Sequence, residues 1–274
     1  MIHLFPKLKN RMLLICAGYI ALVGVYIALN AGKNLTFPLV LAVVGLAIVI
    51  FSQMLTAFNV HSQLLAKLYD QMNVDGFLKH YESKLNLPIS NQSVALMVRL
   101  HLSNAYCAQG RFDEAKNLLA NAVIPKGKKQ EDELLSRFAI ASNLCYFAQL
   151  QEDLPAARAH LNNLLDLKKQ LEAMQVNKPE KKRMVFNTEL NEQVMAYLET
   201  GKADIEALRK LVASNSQQLH KVTISLWIAR GYLAENNRRE AVALLEKIVK
   251  LAPELYPGKV AAGILGGLPA KTEE

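Results

Sequence analysis

The chain has 274 residues, of which 51% are apolar, and its 32 Lys and Arg against 24 Asp and Glu give a formal charge of +8. The four charged residues within 1–58 are all basic (Lys7, Lys9, Arg11, Lys33), so the remainder holds 28 basic against 24 acidic groups, a surplus of +4. So small a surplus argues against a nucleic-acid binder, whose basic groups would cluster on one face; it suits a domain close to an anionic inner leaflet.

Two apolar stretches open the chain, at residues 12–32 and 38–58, and neither contains Asp, Glu, Lys, Arg or His. Each is long enough for the ~20 helical residues that cross a bilayer. Without ionisable groups they read as an anchor rather than as a proton relay or ion pathway. A cleaved secretory signal is disfavoured, because the first stretch exceeds the ~7–15 residues of a signal core and is followed by a poor cleavage site. Residues 1–58 are therefore expected to be a two-span transmembrane helical hairpin, with residues 12–58 in contact with the lipid bilayer.

Lys7, Lys9 and Arg11 precede the first span, Lys67, Lys79 and Lys84 follow the second, and the connection holds Lys33 alone. The positive-inside bias then puts both termini in the cytoplasm and the short connection outside. Asn34-Leu35-Thr36 fits a glycosylation acceptor, but squeezed between two helices it reads as chance. Brevity and simple topology suit a bacterial protein of the cell membrane.

From residue 59 the apolar positions recur at helical spacing, and alternating β-branched runs are absent, so the remainder is expected to be all-α. Turn residues fall between the runs: Asn73-Val74-Asp75-Gly76, Asn86-Leu87-Pro88, Gln109-Gly110, Pro125-Lys126-Gly127, Glu152-Asp153-Leu154-Pro155, Gly201 and Asn236-Asn237. These breaks divide residues 59–256 into antiparallel helix pairs, with 257–274 as a tail. Cys107 and Cys145 sit among apolar neighbours and read as small buried hydrophobes, with neither a zinc spacing nor a CxxC pair.

Ser103 with Tyr106, then Gly110, then Ala115 with Leu119 place a small residue and an aromatic on one helix, a glycine at the turn, and a small and a large apolar residue on the next. This order resembles the tetratricopeptide repeat. Ala229 with Tyr232 and Ala241 with Leu245 form a second good match, with Asn236 in place of the turn glycine and Pro253 after it. Residues 144–164 give a weaker copy (Cys145, Ala148, Ala157, Leu161) that lacks the glycine. Residues 194–211 keep Tyr197 and Gly201 but need one inserted residue to align Ala207. From Ala115 through Ala157 and Ala207 to Ala241 the intervals are 42, 50 and 34 residues, against the ~34 of the family. A degenerate first pair is read around Leu65, Leu68 and Tyr69 and around Gly76, Phe77 and Tyr81. The resemblance covers roughly residues 60–255 and implies an α-solenoid whose motif residues are structural; a generic helical bundle is the alternative.

No phosphate-binding loop, dinucleotide fingerprint, nucleophile elbow or HExxH helix occurs. The six histidines are scattered with no two one helical turn apart, so metal, cofactor and catalytic residues are not expected, and neither is enzyme activity. Asp113-Glu114 and Glu131-Asp132-Glu133 read as first-turn acids that favour the helix dipole. The run Lys178-Pro179-Glu180-Lys181-Lys182-Arg183, with Lys168-Lys169 and Lys126-Gly127-Lys128-Lys129, reads first as solvated linker and second as anionic-lipid contact through Lys181, Lys182 and Arg183.

The function expected is a membrane-anchored scaffold that binds protein or peptide partners on the cytoplasmic face, in a concave groove lined by first helices. Arg99, Asn104, Asn143, Asn191 and Arg230 are the polar first-helix residues expected to face it; Asn104 and Asn143 stand out because an amide can bond the backbone of an extended ligand. The alternative is a non-catalytic assembly subunit of a membrane enzyme or transporter complex. Conduction by the two spans themselves ranks last, since they offer no polar lining and only a weak Gly24 and Ala28 contact for oligomerisation.

Overall fold

The computed structural model describes residues 2–30, 36–87, 89, 91–126, 130–174 and 176–268. Lys33 with the start of the Asn34-Leu35-Thr36 triplet, Gly127 to Lys129, and the last six residues lie outside the described residues. Among the described residues there are twelve α-helices and no strand. They form two compact units, Met1–Ala66 with Leu87–Ile89, and Lys67–Asn86 with Ser90–Glu274.

The first unit holds α1 (Pro6–Leu29) and most of α2 (Thr36–Tyr69), both long and apolar enough to cross a membrane. None of either helix's most apolar window is buried, so these are not the core helices of a globular domain. They pack as a pair where α2 has a glycine: a Cβ on Gly45 would lie 2.1 Å from the Tyr19 hydroxyl oxygen. Met12, Cys16, Tyr19, Val23 and Ile27, spaced along one stripe of α1, are the less exposed residues of its apolar stretch. The polar side chains Ser52 and Thr56 bond back to the Val49 and Ser52 carbonyls at 3.0 and 2.9 Å, which satisfies their hydroxyls within the helix. The helix runs on without a break past residue 58 to Tyr69.

The second unit continues with the end of α2 turning into α3 (Val74–Tyr81), then in consecutive pairs, α4 (Gln92–Ala108) with α5 (Phe112–Ala120) and α6 (Gln130–Leu150) with α7 (Leu154–Glu172). Then come α8 (Lys178–Thr200) with α9 (Ile205–Ser214), α10 (Gln218–Ala234) with α11 (Arg238–Leu251), and finally α12 (Tyr256–Gly267). Side-chain oxygens of Asn73, Asn91, Asp153, Asn177 and Asp204 accept first-turn backbone N–H groups and so fix where α3, α4, α7, α8 and α9 begin.

The turn into α3 and the turns of the four pairs each hold one residue of positive φ: Met72 (54°), Gly110 (83°), Glu152 (56°), Gly201 (69°) and Asn236 (59°). In three of them the next N–H reaches back five residues, Arg111 to the Tyr106 carbonyl, Asp153 to Ala148 and Asn237 to Tyr232, at 2.8 to 2.9 Å. That bond closes the helix end in the usual left-handed stop. Glu152 therefore fills the place left vacant by the missing glycine of residues 144–164, at the conformational cost a non-glycine residue carries there.

Small residues let the paired helices approach. Ser103, Ala115, Ala229, Ala241 and Leu245 are 0% exposed, and Tyr106 and Tyr232 are 8% exposed. Cys145, Ala148 and Ala157 form the corresponding contact of α6 with α7, at the centre of a core that runs from Leu134 and Phe138 through Leu164 and Leu171 to Met184 and Met195. Both tyrosines reach back along the chain, Tyr106 donating to Glu82 Oε1 in the turn after α3 at 2.9 Å and Tyr232 accepting from Arg209 of α9.

Two readings from the sequence are corrected. The run from Lys178 to Arg183 is not a linker but the start of α8: Asn177 caps it, and Pro179 stands in the first turn, where a missing N–H costs nothing. The stretch after 256 is not all tail, because Pro257 initiates α12 in the same way and the helix packs on α11.

Candidate functional site

In a linear stack each pair touches only its neighbours, but here the last helices of the second unit return to the earlier ones. Arg230 of α10 pairs with Glu152 in the α6–α7 turn at 2.5 Å, and its guanidinium lies 4.8 Å over the Trp227 ring. Tyr256 at the start of α12 donates to the carbonyl of Leu150, the last residue of α6, at 2.7 Å. Its ring stands edge-on to Phe112 of α5, 4.9 Å between centroids. Gly110 makes room for that ring, since a Cβ there would lie 3.2 Å from it.

Each of the five polar residues expected to share one groove makes a contact within the fold. Arg99 donates to the Leu118 carbonyl at 3.3 Å and ties α4 to α5. Asn143 bonds back to Ala139 of its own helix at 2.8 Å. Asn191 is 2% exposed: its side chain donates to Asn187, and its backbone carbonyl accepts from the buried Gln149 at 2.8 Å. Arg230 is held by Glu152 and Trp227 as described.

Asn104 lies at a small pocket, lined with it by Cys107, Tyr146, Leu150, His220, Thr223, Tyr256 and Pro257 among others. Its amide donates to the Tyr69 hydroxyl at 3.0 Å, and that hydroxyl also shares a hydrogen bond with His101 Nδ1 at 2.9 Å. The Tyr69 ring stands 5.6 Å from that of His220, and Tyr146 is hydrogen-bonded to Thr223. Burial pushes Tyr69 up to about 12 and His220 down to about 4, and it raises the Cys107 thiol and Tyr146 as well. The leading cause in every case is loss of water, which favours the neutral form. A pocket of neutral groups offers hydrogen bonds and ring faces; it supplies neither a thiolate nor a charged acid or base at pH 7.

Two other surfaces carry features seen in the sequence. Lys178, Lys181, Lys182 and Arg183 are exposed on the first turns of α8, with Lys168 and Lys169 in the last turns of α7 across residues 173–177. Arg183 pairs with Glu180 and Lys168 with Glu172, so part of that charge is compensated. Between α1 and α2 an apolar cleft of about 400 Å³ is lined by Tyr19, Val23, Tyr26, Phe37 and Leu41 among others. Of the pocket residues, Tyr256, His220 and Thr223 were invisible as a group in the sequence; the only local signal was Pro257 ahead of the apolar residues 260–265. The chain matches no family model, no curated protein and no solved structure.

Proposed function

We propose that the chain is a membrane-anchored scaffold, built from tetratricopeptide-like helix pairs, that binds protein partners on the cytoplasmic face. The observation that carries the reading is the joining of two unburied, membrane-length apolar helices to four consecutive helix pairs that each turn through a single left-handed residue. Such pairs display the side chains of successive helices as one extended surface, which suits recognition of an extended peptide rather than chemistry. On this reading α1 and α2 are the spans, both termini are cytoplasmic, and Lys181, Lys182 and Arg183 touch anionic headgroups.

The test is affinity capture of the full-length chain from detergent-solubilised membranes, with co-purified protein and lipid both measured. Soluble partners present in fixed ratio are expected, and they are expected to be lost from a chain carrying Asn104→Ala with Asn143→Ala. Anionic lipid is expected to fall with Lys181→Gln and Lys182→Gln. Partners that bind the asparagine variant undiminished remove the first-helix face from the proposal, and unchanged lipid removes the headgroup contact.

A further inference from the structure

The hairpin of α1 and α2 is closed at one level and open at the next. The two helices meet where the Tyr19 hydroxyl lies against Gly45, a position at which any added side chain would collide with it. From that contact toward the connection they part, and the cleft of about 400 Å³ lies between residues 19–27 of α1 and 37–42 of α2. From Tyr19 to Ile27 the helix rises ~12 Å at ~1.5 Å per residue. That length is close to the hydrocarbon depth of one leaflet, about half of ~30 Å.

The walls define what can fill it. Val23, Ile27, Pro38 and Ala42 are apolar, and no part of either helix's most apolar window is buried within the protein. A cleft between helices of this kind opens on lipid chains rather than on water. Its volume falls within the range of small-molecule sites, which pair an apolar lining with a few polar groups. Tyr26 and Phe37 stand at the end nearest the connection, where aromatic rings suit the headgroup level. The Tyr26 hydroxyl has no hydrogen-bond partner among the described residues. An unbonded hydroxyl beside hydrocarbon is costly, so the cleft favours an apolar occupant that brings a hydrogen-bond acceptor to its outer end.

We propose that this cleft binds one acyl chain of a phospholipid, with the ester carbonyl accepting from the Tyr26 hydroxyl and the chain running down to Tyr19 and Gly45. On the topology given above the lipid comes from the outer leaflet. The inference rests on α1 and α2 being membrane spans and gives them a ligand. It is independent of the helix pairs and of the basic residues at the start of α8.

The test uses the full-length chain in palmitoyl-oleoyl phosphatidylcholine vesicles, some of whose lipid carries a photoreactive diazirine on an acyl chain. This lipid has no net charge, so the basic residues of α8 add little. Val25 and Val43 serve as depth controls, since they neighbour Tyr26 and Ala42 in sequence, do not line the cleft and are 58% and 69% exposed. After illumination, adducts on Val23 and Ala42 are expected to exceed those on Val25 and Val43 about tenfold, the factor for about 1.4 kcal/mol of preference. Ala42→Trp fills the cleft and is expected to abolish the excess at Val23, whereas Val43→Trp leaves it unchanged. Tyr26→Phe is expected to lower the excess several-fold, the effect of one net hydrogen bond. Adducts spread evenly over lining and control residues overturn the site alone, and a chain that fails to float with the vesicles overturns the spans and the site together. Fewer adducts on Val23 and Ala42 than on the controls shows that a second copy or another protein's helix covers the cleft, which also overturns the proposal.

Discussion

Trp227→Ala is expected to lower the stability of the second unit by about 3–5 kcal/mol, the range for truncating a fully buried large aromatic. Trp227 is 2% exposed and is the largest of the fully buried side chains among the described residues. Its ring joins two pairs: the edge of Tyr197 from α8 stands 5.8 Å away, and the guanidinium of Arg230 lies over its face. Alanine leaves a void that neighbouring helices fill only in part, and it removes the ring that carries the Arg230 end of the bond to Glu152. The check is urea unfolding of the full-length chain in mild detergent, followed by helical circular dichroism. A loss below about 1 kcal/mol would show that Trp227 is not a structural keystone.

The second large effect is on pH dependence. His220 has its ordinary value of 6.5 lowered to about 4 by burial, so between these values the unfolded chain binds a proton that the folded chain refuses. The contribution is therefore fully present above pH 6.5 and is lost as pH falls through about 4. It amounts to about 3 kcal/mol for a shift of this size. The groups around His220 are Tyr69, Asn104, Cys107, Tyr146, Thr223 and Tyr256, none charged in this window, so nothing nearby compensates an imidazolium. Stability measured at pH 7 and pH 4.5 is expected to differ much less in a His220→Asn chain than in the native one. His160 is lowered in the same direction by its own burial and leaves a smaller residual slope in both. Identical pH dependence in the two proteins contradicts the placement of His220.

Much of the fold was legible because its determinants are local. Small residues one turn from an aromatic, followed by Gly110 or Asn236, mark α4–α5 and α10–α11 directly, and the acids at 113–114 and 131–133 do lie in first helical turns. Glu152 was not legible as a turn residue, since glutamate rarely adopts positive φ. It is held there by the Asp153 N–H bond to the Ala148 carbonyl and by Arg230, 78 residues away. The Lys178 to Arg183 run looked like solvated linker because its charges mask helix-forming side chains. Residues after 256 looked like tail because their glycines oppose a helix that packing on α11 sustains.

Of the pocket described above, Asn104 was the residue legible in the sequence. A pattern of polar residues on first helices carries no record of the contacts made where α10 and α12 return onto the ends of α4 and α6. Arg230 and Asn191 are accordingly spent on internal contacts, and Tyr256 arrives from 106 residues beyond its hydrogen-bond partner Leu150. Pairing between distant helices is set by the shape of the whole unit, which no short sequence window contains.

The claim on which the account rests is that a helical hairpin in the membrane holds the helix pairs on the cytoplasmic side. It is tested by labelling intact cells with a membrane-impermeant maleimide, using chains that carry Lys33→Cys or Lys271→Cys. Labelling of Lys33→Cys in intact cells, and of Lys271→Cys only after lysis, is the expected result. Equal labelling of both in intact cells, or of neither until lysis, contradicts it.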